Sequence, residues 1–224
     1  MLIELGYEFA EDMPVFPGSP KEEVRPRSRM SSGGESNTTV FCHYLHNGTH
    51  VDAPFHFWDE GRSIDEIPIE DFFYHRPLLI EKQLKKGELL SRMDLESYGS
   101  RLKRCDILLI CTGYWKLRGE TEKYCDDFPA LSEEAARFVR LELPQLKAVA
   151  IDTLSIESPI QGPKTDFKVH KTLLSGELHG TRTLLIYEDV NLGRLVGKKI
   201  KRIYAFPLRI RGLDASPVNM VAEV

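Results

Sequence analysis

Cysteine is scarce in this chain, and the four present, Cys42, Cys105, Cys111 and Cys125, form no Cys-x-x-Cys spacing. That argues against a Cys-rich structural zinc site. Met1–Leu5 carries no basic stretch leading into an apolar run, so no signal peptide is expected and the thiols are read as reduced, in a cytoplasmic protein. No apolar run approaches membrane-spanning length, which excludes a membrane partner of the helical kind. Basic runs are equally lacking. The densest, Lys198-Lys199-Ile200-Lys201-Arg202, reads as a solvated lead-in to a strand, and a net charge of −4 gives no surface for nucleic acid. There is no internal repeat, low-complexity segment or evident linker. The 224 residues are long enough to bury one substantial core, and 1–224 is expected to be a single domain.

What the chain does have is His46-Asn47-Gly48-Thr49-His50-Val51-Asp52-Ala53-Pro54-Phe55-His56. Alternate side chains of an extended backbone share a face. His50 and Asp52 then point one way, and Val51, Ala53 and Phe55 the other. Gly48 permits a turn that swings His46 back toward His50. Pro54 holds Ala53 extended. A helical His-x-x-x-His zincin site is disfavoured, because Gly48 and Pro54 oppose a helix and Asn47 stands where a Glu belongs. Imidazole nitrogen and carboxylate oxygen suit zinc, manganese or iron(II). Metal centres usually draw a further ligand from elsewhere. His170, early in a helix after a long loop, and Glu188, ending the apolar strand Leu184-Leu185-Ile186-Tyr187, are the candidates. His43 has the opposite parity to His46 and is left out.

Along the chain, strands are expected over 1–9, 22–27 (held to an edge by Pro26) and 38–45. From residue 77 the pattern alternates. Strands are expected over 77–81, 106–112, 148–151, 183–187, 202–208 and 218–224. Helices are expected over 94–102, from a Ser132 cap to Leu143, and from an Asp166 cap through Leu174. A β-rich first third followed by alternation implies an α/β (mixed α+β) domain with a mixed sheet and an additional β layer.

The motif His46-x-Gly48-Thr49-His50-x-Asp52-x-Pro54-x-His56 resembles the signature of the cyclase-like metal-dependent hydrolases, the family that includes bacterial kynurenine formamidase and isatin hydrolase. Phe16-Pro17-Gly18-Ser19-Pro20, Cys111-Thr112-Gly113-Tyr114-Trp115, Asp152-Thr153-Leu154-Ser155, Val169-His170 with Ile186-Tyr187-Glu188, and Gly212-x-Asp214-x-Ser216-Pro217 resemble further segments of it. The resemblance implies a swivelling β/β/α fold, one or two zinc or manganese ions, and hydrolysis of amide or lactam bonds. It implies His46, His50 and Asp52 as ligands, with Asp52 bridging two ions where a second binds. His170 and Glu188 would serve the second ion and His56 would be the catalytic histidine. It also implies a small-molecule substrate, N-formylkynurenine or an isatin-like lactam, and a homodimer or homotetramer. Phe16, Trp58, Tyr114 and Trp115 fall within or beside these segments and are candidates for an aromatic substrate wall. Two departures stand out: Glu157 occupies a place where the formamidases tend to carry Asp, and the longer 171–187 stretch brings in His179 as a rival to His170.

Two readings from other classes compete. An iron(II) oxygenase can use His50, Asp52 and His170 as a two-His, one-carboxylate triad, and predicts a jelly roll of strands. A metal-storing or structural-metal protein predicts a closed site without an exchangeable water.

Overall fold

The computed structural model describes residues 1–176, 178 and 180–224, so His179 lies outside the described residues. Its centre is a six-stranded sheet. The strands run in the order Ala215–Pro217, His50–Asp52, Leu185–Glu188, Ala148–Ile151, Ile107–Cys111 and Pro77–Glu81. The last four are mutually parallel, and Leu185–Glu188, Ala148–Ile151 and Ile107–Cys111 are buried on both faces, as their apolar runs require, while Pro77–Glu81 closes the edge half-buried. His50–Asp52 and Ala215–Pro217 are added antiparallel at one edge.

Alternation along these strands builds two cores. Leu108, Ile110, Val149, Ile151 and Ile186 face the helices Glu133–Glu142 and Lys168–Leu174. Ile107, Leu109, Ala148, Ala150, Leu185 and Tyr187 face the other way, onto an antiparallel sheet in the order Leu2–Glu4, Val221–Glu223, Arg202–Tyr204, Phe73–Tyr74. The result is a mixed α/β architecture of three layers: helices, mixed sheet, second sheet. It is not the jelly roll that the oxygenase reading requires.

Several expected elements are shorter than the sequence pattern. The first strand ends at Glu4. Beyond it the Tyr7 N–H is taken by the Thr49 hydroxyl, not by a neighbouring strand, and the chain leaves the sheet. The strand from Thr38 stops at Cys42, where the His43 ring turns to Glu22. The helix expected over 94–102 is Arg92–Glu96, with Ser91 as its cap, and the chain continues as a 3-10 turn from the left-handed Gly99. Asp166 does not cap the next helix. Asp166 and Phe167 both take left-handed φ, and Glu157 accepts the N–H groups of Val169 and His170 instead. The strands near the end are Arg202–Tyr204 and Val221–Glu223.

A buried carboxylate ties the sheet's working end together. Asp152, just past Ala148–Ile151, accepts from the Thr112 N–H, the Thr112 hydroxyl and the Gly113 N–H at 2.7–3.0 Å. This fixes how the following loop, Thr153 to Glu157, leaves the carboxyl ends of the parallel strands. Ligand sites of open α/β sheets collect at that edge.

Candidate metal centre

The register of two strands places three ligand-type side chains on one face. His50 lies directly opposite Glu188, and Asp52 opposite Ile186. Opposed residues of an antiparallel pair share a face. Ile186 belongs to the helix-side core, so His50, Asp52 and Glu188 all project beneath the helix Lys168–Leu174, which lowers His170 onto them. Gly48, at φ +63°, makes the turn that returns His46 to the same point.

The resulting distances are short. Asp52 Oδ1 lies 2.9 Å from His46 Nδ1 and 3.3 Å from His50 Nε2. Glu188 reaches His50 Nε2 at 3.4 Å and His170 Nε2 at 3.3 Å. His170 Nε2 is 3.9 Å from Asp52 Oδ2. Ligand atoms placed about 2.0–2.2 Å from a common ion are separated from each other by roughly 3 Å, which is the spacing seen here. Among the described residues two sets qualify, His50/Asp52/Glu188 and His46/Asp52/His56, each with its donor atoms within 4.8 Å and both containing Asp52.

The hydrogen bonds around the cluster leave ligand atoms over. His50 Nδ1 donates to the Gly48 carbonyl at 2.9 Å, which commits Nε2 to the lone pair. That Nε2, and Asp52 Oδ2, are buried without a hydrogen-bond partner among the described residues. Orphaned buried acceptors are costly unless a cation faces them. The residues present therefore fit a divalent ion. Glu188 is held from behind, its Oε1 accepting from Ser155 Oγ at 3.0 Å and from the Ile156 N–H at 2.6 Å.

Charge is balanced by protons in the protein alone. Burial alone would lower the His46 pKa, but the Asp52 and Asp214 carboxylates beside it raise it to about 9. His170 is likewise opposed by burial and raised to about 10 by Glu157, Glu188 and Asp52. Burial would raise Glu188, yet the His170 and His50 imidazoles facing it at 3.3 and 3.4 Å bring it to about 2. Asp52 is held well below the carboxylate range, against its burial, by His56 and His46. A divalent ion offers the same carboxylates a replacement for these protons.

Two acids to which the sequence reading gives no role stand at the cluster. Asp214 Oδ2 lies 2.8 Å from His46 Nε2 and 3.3 Å from His56 Nδ1, so His46 sits between two carboxylates. Its only sequence signal is the Gly212-x-Asp214-x-Ser216-Pro217 segment. Glu157 accepts from His170 Nδ1 at 2.8 Å.

A cavity of about 190 Å³ opens beside the cluster, and Phe16, Tyr44, Phe57, Phe167, His46, His56 and His170 are among its walls. Phe16 is therefore at the site. The three aromatics named with it, Trp58, Tyr114 and Trp115, are not among the residues lining this cavity. Trp58 packs on Gly176. The Tyr114 hydroxyl donates to the Lys123 carbonyl. Trp115 lines a separate depression with Tyr7 and Arg118, whose guanidinium is paired with buried Asp189. All four cysteines are free. Cys105 and Cys111 are buried in the core, and burial, the main cause, pushes their thiols up to about 12. No helix among the described residues is long and apolar enough to cross a membrane.

Comparison with known proteins gives a consistent picture. A family model described as putative cyclase matches residues 3–158. The kynurenine formamidase of Geobacillus thermodenitrificans is 28% identical over 222 residues, covering 97% of this chain and 94% of its own length. An uncharacterised protein of Haemophilus influenzae is 35% identical over 107 residues, 47% of this chain and 75% of its own. The crystal structure of an isatin hydrolase bound to the product analogue thioisatinate shares the fold. It has a TM-score of 0.85 at 16% identity, over 100% of this chain and 92% of that one.

Proposed function

The chain belongs to the family of putative cyclases, and from that premise we propose that it is a metal-dependent hydrolase of a carbon–nitrogen bond in a small aromatic formamide, amide or lactam. One observation carries the reading. Two ligand sets share the buried Asp52, and two of their donor atoms, His50 Nε2 and Asp52 Oδ2, are buried without a hydrogen-bond partner among the described residues. We take 1–224 as one catalytic domain and zinc or manganese as the ion, with one or two bound.

His46, His50 and Asp52 would hold one ion, and Asp52, His170 and Glu188 a second. An ion there supplies Lewis acidity, activating water at neutral pH and polarising the scissile carbonyl. The chain does the rest. Phe16, Tyr44, Phe57 and Phe167 receive a flat ring and exclude water. His56, stacked on His46 with ring centroids 4.0 Å apart and steadied by Asp214, takes a proton from the attacking water and returns it to the leaving nitrogen.

An arylformamidase acting on N-formylkynurenine is the first assignment, supported by full-length similarity to kynurenine formamidases. A specific observation favours a second, an isatin-type lactam. Among the described residues lining the cavity there is no Lys or Arg to pair with an amino acid's carboxylate. Both substrates should be offered to metal-stripped protein, with and without added zinc or manganese. Turnover restored only by metal supports the hydrolase, and the preferred substrate separates the assignments. Tight metal binding with no turnover of either would reject both.

Self-assembly as a dimer or tetramer belongs to the same proposal. The ribbon Glu23–Ser28/Thr38–Cys42 is exposed along nearly its whole length and carries Val24, Val40 and Phe41 outward. A two-stranded ribbon is marginal on its own. Sedimentation velocity of the wild type and of Val40→Lys/Phe41→Lys tests it. A monomeric wild type would end the idea.

A further inference from the structure

Glu157 is buried beside the cluster. Both oxygens are engaged. Oε2 accepts from His170 Nδ1 at 2.8 Å and from the His170 backbone N–H at 3.1 Å. Oε1 accepts from the Val169 N–H at 3.2 Å and the Thr165 hydroxyl at 3.3 Å. Four donors offset the cost of burying the charge.

The surrounding loop is shaped to this residue. The chain enters the helix Lys168–Leu174 through two left-handed residues, Asp166 and Phe167, and no side chain of the entry caps it. Glu157 supplies the missing acceptor from eleven positions before the helix begins. Gly162 leaves the room: a Cβ there would come within 3.2 Å of the Glu157 Cγ and 3.1 Å of the Phe167 ring.

The ring contact has a chemical consequence. A carboxylate facing Nδ1 keeps a proton on that nitrogen, so the proton that an ion displaces is the one on Nε2 and the lone pair it meets is there. His170 Nε2 is the atom that faces Glu188 at 3.3 Å and Asp52 at 3.9 Å. We propose that Glu157 is a positioning residue for a divalent ion held by His170, Glu188 and Asp52, fixing the His170 tautomer and ring angle so that Nε2 meets the ion. This rests on the reading of the cluster as a metal centre. A carboxylate behind a ligating histidine also raises its basicity, and loss of such a partner costs roughly 10–100-fold in metal affinity.

Glu157→Gln removes the charge with little change of volume. The amide either donates into Nδ1, moving the ring proton to Nε2, or accepts from it more weakly. Thr165→Val removes another donor to Glu157 but leaves the ring contact alone, so it reports any general loosening of the loop. His170→Ala tests the ligand itself. Zinc and manganese affinities of all four proteins are measured by competition with a chromophoric chelator. The His170 Nδ1–H is followed by imidazole nitrogen–proton correlation in the zinc-loaded wild type.

The expected result is loss of one ion in His170→Ala, a roughly 10–100-fold weaker ion in Glu157→Gln, near wild-type affinity in Thr165→Val, and a protected Nδ1–H signal missing from His170→Ala. If His170→Ala binds ions as the wild type does, the metal-centre reading fails and takes this proposal with it. Should His170→Ala lose the ion while Glu157→Gln keeps wild-type affinity, only the role of Glu157 is overturned. Equal losses in Glu157→Gln and Thr165→Val would reduce Glu157 to a structural cap and overturn it too. If Glu157→Gln does not fold, the wild-type spectrum decides: absence of a protected His170 Nδ1–H refutes the assignment.

Discussion

The Nδ1 of His50 donates to the carbonyl oxygen of Gly48 across 2.9 Å, so the turn that returns His46 to the cluster also aims His50. Gly48 holds φ +63°, and a Cβ there would lie 2.8 Å from the Phe9 ring. Gly48→Ala should therefore lose about 1–2 kcal/mol from the left-handed backbone alone, with overpacking against Phe9 in addition. Metal affinity should fall with it. Urea denaturation of metal-free protein measures the first effect, and chelator competition the second. Adding Phe9→Leu should recover the steric part but not the backbone part. Full recovery would show that backbone strain at Gly48 contributes nothing.

The pH dependence of stability should reverse when metal is added. His46 and His170 are raised from the ordinary 6.5 to about 9 and about 10. Their contribution to the metal-free fold is complete below the unfolded-state value and disappears as pH rises through 9 to 10. Glu188, lowered from 4.5 to about 2, contributes above its unfolded value and loses that contribution as pH falls toward 2. The metal-free protein should thus lose Tm between about pH 6 and about pH 10. An ion must displace these protons, so its affinity, and the Tm gain it brings, should grow over the same interval. Calorimetry with and without zinc checks both halves. A metal-induced gain that stays flat with pH would show that no histidine proton is displaced.

How far the sequence carried the site depends on whether the information was local. The period of two put His50 and Asp52 on one face, and the flexibility of Gly48 returned His46, because both are properties of adjacent residues. The buried parallel strands were legible for the same reason, as continuous apolar runs. Asp214 was not assigned a role, since it reaches His46 only through the pairing of Ala215 with Asp52, 163 positions apart in sequence. Glu157 was noticed as a departure but not as an acceptor for His170, because the left-handed entry at Asp166 and Phe167 leaves no composition signal. The aromatic wall was read from proximity to motifs. Of the four rings so chosen, Phe16 lines the cavity beside the cluster together with Tyr44, Phe57 and Phe167, while Trp58 lies against Gly176, the Tyr114 hydroxyl donates to the Lys123 carbonyl and Trp115 lines a separate depression.

His56 is the residue whose role the geometry makes testable in the sharpest way. It sits at the end of the turn Pro54–His56, within ligand distance of His46 and Asp52, and its Nδ1 is 3.3 Å from Asp214. With Nδ1 paired to Asp214, a proton-carrying His56 would act through Nε2 at the cavity, a capacity that a ligand would have tied up. As a general acid and base it is expected to contribute about 10²–10⁴-fold. His56→Ala should therefore lower kcat by that order and keep the wild-type metal content, while His50→Ala and Asp52→Ala lose metal and activity together. Metal analysis beside steady-state kinetics separates the cases. If His56→Ala emerges stripped of metal, the His46/Asp52/His56 set is a ligand set in full, and the proton carrier must be sought among the remaining groups of the cavity wall, with Tyr44 and Ser155 first.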